Sequence, residues 1–100
     1  MFVTIVQGQV AQEHWERLRQ QFERHTHSIP DGLIETFLVQ GHDQPTSWQI
    51  LTFWQSQEIY EQARGQKKTA ACEMIFLNCD AVPERNGFQV RYGIERMGAS

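Results

Sequence analysis

Positive charge is scarce in this chain. Nine Lys plus Arg stand against twelve Asp plus Glu, giving a formal net charge of -3 over 100 residues. A nucleic-acid binder needs a basic patch to displace counterions from phosphates, so that class is set aside. Long apolar runs are also missing. None approaches the roughly 20 residues that span a bilayer, so no membrane partner is expected. The N-terminal Phe2-Val3-Thr4-Ile5-Val6 has no basic lead-in of the kind that opens a secretory signal, so a cytoplasmic location is expected. Cysteine is limited to Cys72 and Cys79. Seven residues apart, they fit no zinc or redox motif and read as ordinary buried thiols. No Gly-rich phosphate loop, Ser-His-Asp set, Cys-His pair or paired-carboxylate motif is visible.

Four histidines are present, His14, His25, His27 and His42. They are scattered, whereas a zinc site wants three or four convergent ligands, so no metal site is expected. The apolar share is 40% and the charged share 21%, the balance of a folded domain rather than a disordered tail. The length suits one domain over residues 1–100.

Periodicity supplies the elements. Phe2 to Val10 is β-branched and apolar, a first strand. Ala11, Trp15, Leu18 and Phe22 recur at helical spacing among charged residues, which predicts an amphipathic helix ended before Pro30. Pro30-Asp31-Gly32 is a turn: proline fixes φ and glycine tolerates positive φ. Leu33 to Gln40 and Ser47 to Trp54 are strands joined by a short polar loop. Ser56 is an N-cap for a helix that stops at Gly65. Lys67 to Asn78 reads as a further helix, Asp80 to Gly87 as a loop with an Asn86-Gly87 turn, and Phe88 to Arg96 as the last strand.

This order, strand–helix–strand–strand–helix–strand, predicts an α+β, ferredoxin-like antiparallel sheet with helices on one face. Yet both faces of the strands are apolar. Phe2, Val6, Leu33, Phe37, Trp48, Ile50, Val90 and Ile94 form one set. Val3, Ile5, Ile34, Leu38, Leu51 and Phe53 form the other. A solvated face would be polar. At roughly 25 cal/mol per Å² of buried apolar surface, the bare face is expected to be covered, most economically by a second copy in a homodimer. Arg91, read as mid-strand, is expected to pair with Glu35 or Glu95 across that interface; the alternative role is to anchor an anionic ligand.

The segment Ile50-Leu51-Thr52-Phe53-Trp54-Gln55-Ser56-Gln57-Glu58-Ile59-Tyr60 resembles the strand–Trp–x–Ser–x–x–x–Tyr stretch of antibiotic biosynthesis monooxygenase-like domains. Pro30-Asp31-Gly32-Leu33 resembles the turn that opens their second strand. The resemblance implies a dimeric α/β barrel. For the branch that oxidises aromatic phenols with O₂, it implies no metal, no flavin and no other cofactor. On that branch's pattern, Trp54 and Tyr60 are the candidate catalytic residues, and Trp48, Trp54 and Tyr60 the candidate binding residues for a small aromatic or quinone-type molecule. The branch's Asn falls on Ile50 and its Arg near Met74. On the haem-degrading branch's pattern, the iron-ligating His falls on Glu73, a poor substitute for imidazole. Two alternatives stand beside a cofactor-independent monooxygenase: a non-catalytic dimeric binding module, and a haem binder that does not cleave haem.

Overall fold

The computed structural model describes residues 1–66 and 69–94. The elements are β1 (Phe2–Gln9), a 3₁₀ turn (Gln12–His14), α1 (Trp15–His25), β2 (Leu33–Gln40), β3 (Ser47–Trp54), α2 (Gln57–Gly65), α3 (Ala70–Leu77) and β4 (Glu84–Gln89). The four strands form one antiparallel sheet in the order β2-β3-β1-β4. The helices cover one face of it. This is the ferredoxin-like α+β arrangement that the element order predicts.

Alternation along β1 and β3 decides what goes under the helices. Phe2, Thr4 and Val6 of β1 and Ile50, Thr52 and Trp54 of β3 are buried. The intervening residues turn to the open face. Two core clusters result. At one end, Val6, Val10 and Ile50 pack against Leu18 of α1 and Ile75 and Phe76 of α3, with Trp15 and Trp48 at the margin. At the other end, Phe2 and Trp54 pack against Tyr60 and Ala63 of α2.

Three expectations are corrected. First, Phe37 and Leu38 exchange faces. Leu33 pairs with Trp54, but Glu35 pairs with Phe53, so the register shifts at Ile34. One extra residue in a strand reverses the side-chain phase beyond it. Leu38 therefore packs on the helix-side core, while Phe37 stays 47% exposed on the open face and meets Phe53 edge to face.

Second, residues 84–87 are strand rather than loop. Asn86-Gly87 makes no turn; Gly87 sits opposite Thr4 in the ladder. A Cβ there would lie 2.6 Å from Phe2 Cζ. The glycine clears room for the Phe2 ring in the middle of a strand.

Third, β4 ends at Gln89. β1 begins at Phe2, so only the bond from Val90 N–H to the Met1 carbonyl lies beyond the ladder. Val90, Tyr92 and Ile94 alternate as a strand would but are exposed, Tyr92 and Ile94 by more than 80%. Arg91 accordingly lies past the sheet and is exposed, and its expected partner Glu95 is outside the described residues. The third helix begins at Ala70; Lys67 and Lys68, with which the sequence reading opens it, also lie outside them.

The open face carries Val3, Ile5, Leu51, Phe53, Phe37 and Phe88, aligned across the strands. Among the described residues no helix is long and apolar enough to cross a membrane.

Candidate functional site

The Pro30-Asp31-Gly32 turn brings β2 in beside the end of β3. Gly32 has φ +86°. Its carbonyl accepts from Gln55 N–H at 3.0 Å, and Leu33 N–H donates to the Pro30 carbonyl. Beyond Trp54 the chain turns into α2, where the Ser56 hydroxyl accepts from Ile59 N–H at 3.2 Å and caps the helix. Capping at Ser56 fixes the first turn of α2, which sets Tyr60 back over the end of the sheet.

Trp54 and Tyr60 therefore meet. Their rings lie edge to face with centroids 5.4 Å apart, and Tyr60 also packs on Phe2 at 5.2 Å. Both are buried. The Trp54 indole N–H donates to Thr4 Oγ1 at 3.2 Å. Trp48 is elsewhere. Six residues back along β3, roughly 20 Å at strand rise, it packs edge to face on Trp15 at the other end of the sheet. The three aromatic candidates form one pair and one separate residue.

Arg85 completes the pair's surroundings. It stands on the helix side of β4 opposite Val6. Its Nε donates to Glu73 Oε1 of α3 at 2.8 Å. One Nη donates to the Thr69 carbonyl at 2.8 Å. The other donates to the Tyr60 hydroxyl at 3.2 Å, with the guanidinium carbon 5.9 Å from the Tyr60 ring centroid. Because Tyr60 accepts there, its own O–H remains available as a donor. Arg85 sits in a polar stretch with Pro83 and Asn86-Gly87, which reads as loop, so the sequence gives no sign that it points inward.

Arg85, Trp54 and Thr69 line a narrow cleft between sheet and helices, together with Thr4, Thr52, His25, Cys72, Pro30 and Leu33; Tyr60 reaches the lining of this cleft through Trp54 and Arg85. Its room is about 10 Å³, about one water. Among the described residues, two grooves that share Pro30 with the cleft lie outside it. One, of about 490 Å³, runs along α2 past Ile59 and Ala63; the other, of about 410 Å³, runs past His25 and Ala71. Pro30 borders the cleft and both grooves.

Two residues of the cleft, far apart in sequence, form a pair. His25, the last residue of α1, places Nε2 3.9 Å from Cys72 Sγ on α3. Burial pushes the Cys72 thiol up, against the pull of Arg85 and a hydrogen bond with Thr52. Burial likewise lowers His25. His14 Nε2 lies 3.2 Å from Asp80 Oδ2, away from this cleft. Among the described residues no three His, Cys, Asp or Glu side chains converge as metal ligands would. Both cysteines are free and buried.

Glu73, where the haem-degrading pattern would need an imidazole, is held by Arg85. With room for about one water, the cleft as it stands does not fit a haem. Ile50, where the phenol-oxidising pattern has Asn, is fully buried in the core.

A search of curated protein sequences gave no significant match. Solved structures do match along nearly the whole chain. SnoaB, a cofactor-independent oxygenase from Streptomyces nogalater, superposes as its N63A mutant with a TM-score of 0.75 at 13% identity, covering 95% of this chain and 97% of its own. MhuD, a heme-degrader from Mycobacterium tuberculosis with two hemes in its active site, gives 0.75 at 18%, covering 95% and 100%. A Deinococcus radiodurans protein described as an antibiotic biosynthesis monooxygenase gives 0.74 at 16%, covering 98% and 100%. Identities this low carry the fold alone. The family Antibiotic biosynthesis monooxygenase matches residues 1–72, a span that contains the Pro30-Asp31-Gly32 turn, Trp54, Ser56 and Tyr60; the chain belongs to that family.

Proposed function

We propose that this protein is a homodimeric, cytoplasmic, monooxygenase-like domain. It holds a small, flat aromatic or quinone-type molecule in the cleft between sheet and helices and uses O₂ without metal or flavin. The observation that carries this reading is the contact of Tyr60 with Trp54 on one side and with Arg85 on the other. It sets an aromatic wall beside a partly buried cation, paired with Glu73, and a hydroxyl free to donate. A phenol bound there would lay its ring along Trp54 and its oxygen toward the Arg85 and Tyr60 donors. Those donors stabilise the phenolate, the electron-rich form that reacts with O₂. On an anthrone, O₂ takes up the electrons, one oxygen atom enters the ring as a ketone, and the other leaves as water. The likeness to SnoaB, a cofactor-independent oxygenase, supports the reading. The cleft has room for about one water as it stands, so seating a ring requires it to widen toward the grooves that share Pro30 with it.

The homodimer rests on the open face. Phe37 and Phe88 stay about half exposed there beside Val3, Ile5, Leu51 and Phe53. A contiguous apolar patch on a sheet is a binding surface, and a second copy presents a matching one.

A second reading has its own observation. Ile50 cannot hydrogen-bond a substrate oxygen, which favours binding without turnover. Oxygen uptake separates the two. Metal-free protein with anthrone is expected to consume O₂ faster than buffer. Saturable binding of anthrone with no uptake favours the binding module, and neither binding nor uptake sinks both.

A further inference from the structure

The cleft contains a nucleophile that the proposed chemistry leaves unused. Cys72 reaches it from α3 and is 8% exposed. His25 reaches it from α1, with Nε2 3.9 Å from the sulfur. Arg85 enters from β4. His25 also borders the 410 Å³ groove, together with Ala71, next to Cys72 in the chain, so the imidazole faces both the groove and the cleft that holds the thiol. Cys79, the other thiol, is packed among Val6, Val10, Leu18 and Phe76 and borders neither the cleft nor the grooves beside it. A nucleophile, a base and a cation from three elements thus share one cavity.

We infer that Cys72 is a covalent attachment site for quinone-type electrophiles, with His25 as the base that takes the thiol proton. The inference rests on the proposed occupancy of this cleft by flat aromatic molecules and adds a bond to it. The role requires the His25 proton on Nδ1, so that the Nε2 lone pair faces the thiol. Burial lowers the imidazole's pKa and raises the thiol's, which favours the neutral form of each. That is the resting state of a nucleophile activated by a general base, as distinct from a preformed thiolate.

The step balances without a further oxidant or reductant. The S–H proton passes to Nε2 as the sulfur electron pair forms a C–S bond to a quinone ring carbon conjugated to a carbonyl. The C=C π pair shifts through the conjugated system onto the carbonyl oxygen, which Arg85, lining the same cleft, can receive. The imidazolium returns its proton to that oxygen. The ring hydrogen at the attacked carbon then moves to the second oxygen, leaving a hydroquinone thioether. The quinone is reduced by the addition itself.

The test uses 1,4-naphthoquinone, read by intact mass and peptide mapping. The full chain and its C79S variant should each gain one quinone, at Cys72, and C72S none. The rate should saturate with quinone, fall when 1-naphthol is added as a non-electrophilic competitor, and drop about 100-fold in H25Q, the size of a typical general-base contribution. Labelling of Cys79 as fast as Cys72 overturns the inference, as does a wild-type rate in H25Q or a folded protein that stays unlabelled. Binding of 1-naphthol with no adduct overturns the thiol's role and leaves the cleft's function standing. An adduct at Cys72 that 1-naphthol neither slows nor competes with overturns the reading of the cleft.

Discussion

Arg85 donates to the Tyr60 hydroxyl at 3.2 Å while its Nε holds Glu73 at 2.8 Å. One side chain of β4 thus ties α2 to α3 and sets the direction in which the phenol of Tyr60 can donate. Arg85→Leu removes charge-assisted bonds worth about 2 kcal/mol in total stability, and a loss near 10 °C in Tm is expected for a domain of this size. Arg85→Lys restores the charge without the planar fork. It should recover part of the melting temperature while phenol binding stays weakened, which calorimetry and titration can separate.

Tyr60→Phe deletes the hydroxyl and leaves the ring on Phe2 and Trp54. Stability should fall by about 1 kcal/mol. Phenol affinity should fall about tenfold, the equivalent of one hydrogen bond of about 1.4 kcal/mol. An unchanged dissociation constant would take Tyr60 out of the site.

Gly32→Ala should be costly for two reasons. The residue sits at φ +86°, and an added Cβ would lie 2.2 Å from Ile59 Cγ2. Strained backbone of this kind costs about 1–3 kcal/mol, and Ile59 must also move. Denaturant titration should show the loss; a midpoint within error of the parent would mean the turn can relax elsewhere.

Acid should weaken the fold through His25. Burial lowers its pKa in the folded state from an ordinary 6.5, so below pH 6.5 the unfolded chain binds a proton the folded one resists. Stability is then full above that pH and declines as pH falls toward the lowered folded value. His25→Gln should flatten the slope of stability against pH in that window. An unchanged slope would assign the acid sensitivity to other groups.

The open face should associate. The chain mass is 11.7 kDa, and sedimentation at micromolar concentration should return about twice that. Phe37→Asp, which places a charge in the middle of the apolar patch, should return it to the monomer without unfolding it. A compact parent that sediments as a single chain would remove the homodimer from the account.

How much of this was written in the chain depends on where alternation is honest. β1 and β3 alternate cleanly, so the buried face of Phe2, Val6, Ile50 and Trp54 was legible, as were the Ser56 cap and the Gly32 turn. The bulge at Ile34 was not: an extra residue leaves no compositional mark, and it moved Phe37 to the open face. Asn86-Gly87 reads locally as a turn, because the reason for Gly87, the Phe2 ring across the sheet, lies far away in sequence. The same misreading hid Arg85. His25 and Cys72 are 47 residues apart, and only the packing of α1 on α3 makes them a pair. Trp48 and Trp54 share a face by periodicity, yet the length of β3 separates them.

The most direct test of the account is the indole N–H signal of Trp54 in a ¹⁵N-labelled sample, assigned by comparison with W54F and followed as 1-naphthol is added. Binding in the cleft should shift that signal saturably while the Trp15 and Trp48 signals at the far end of the sheet stay in place. A Trp54 signal that does not move up to the solubility limit of the phenol, or a shift confined to Trp48, would contradict it.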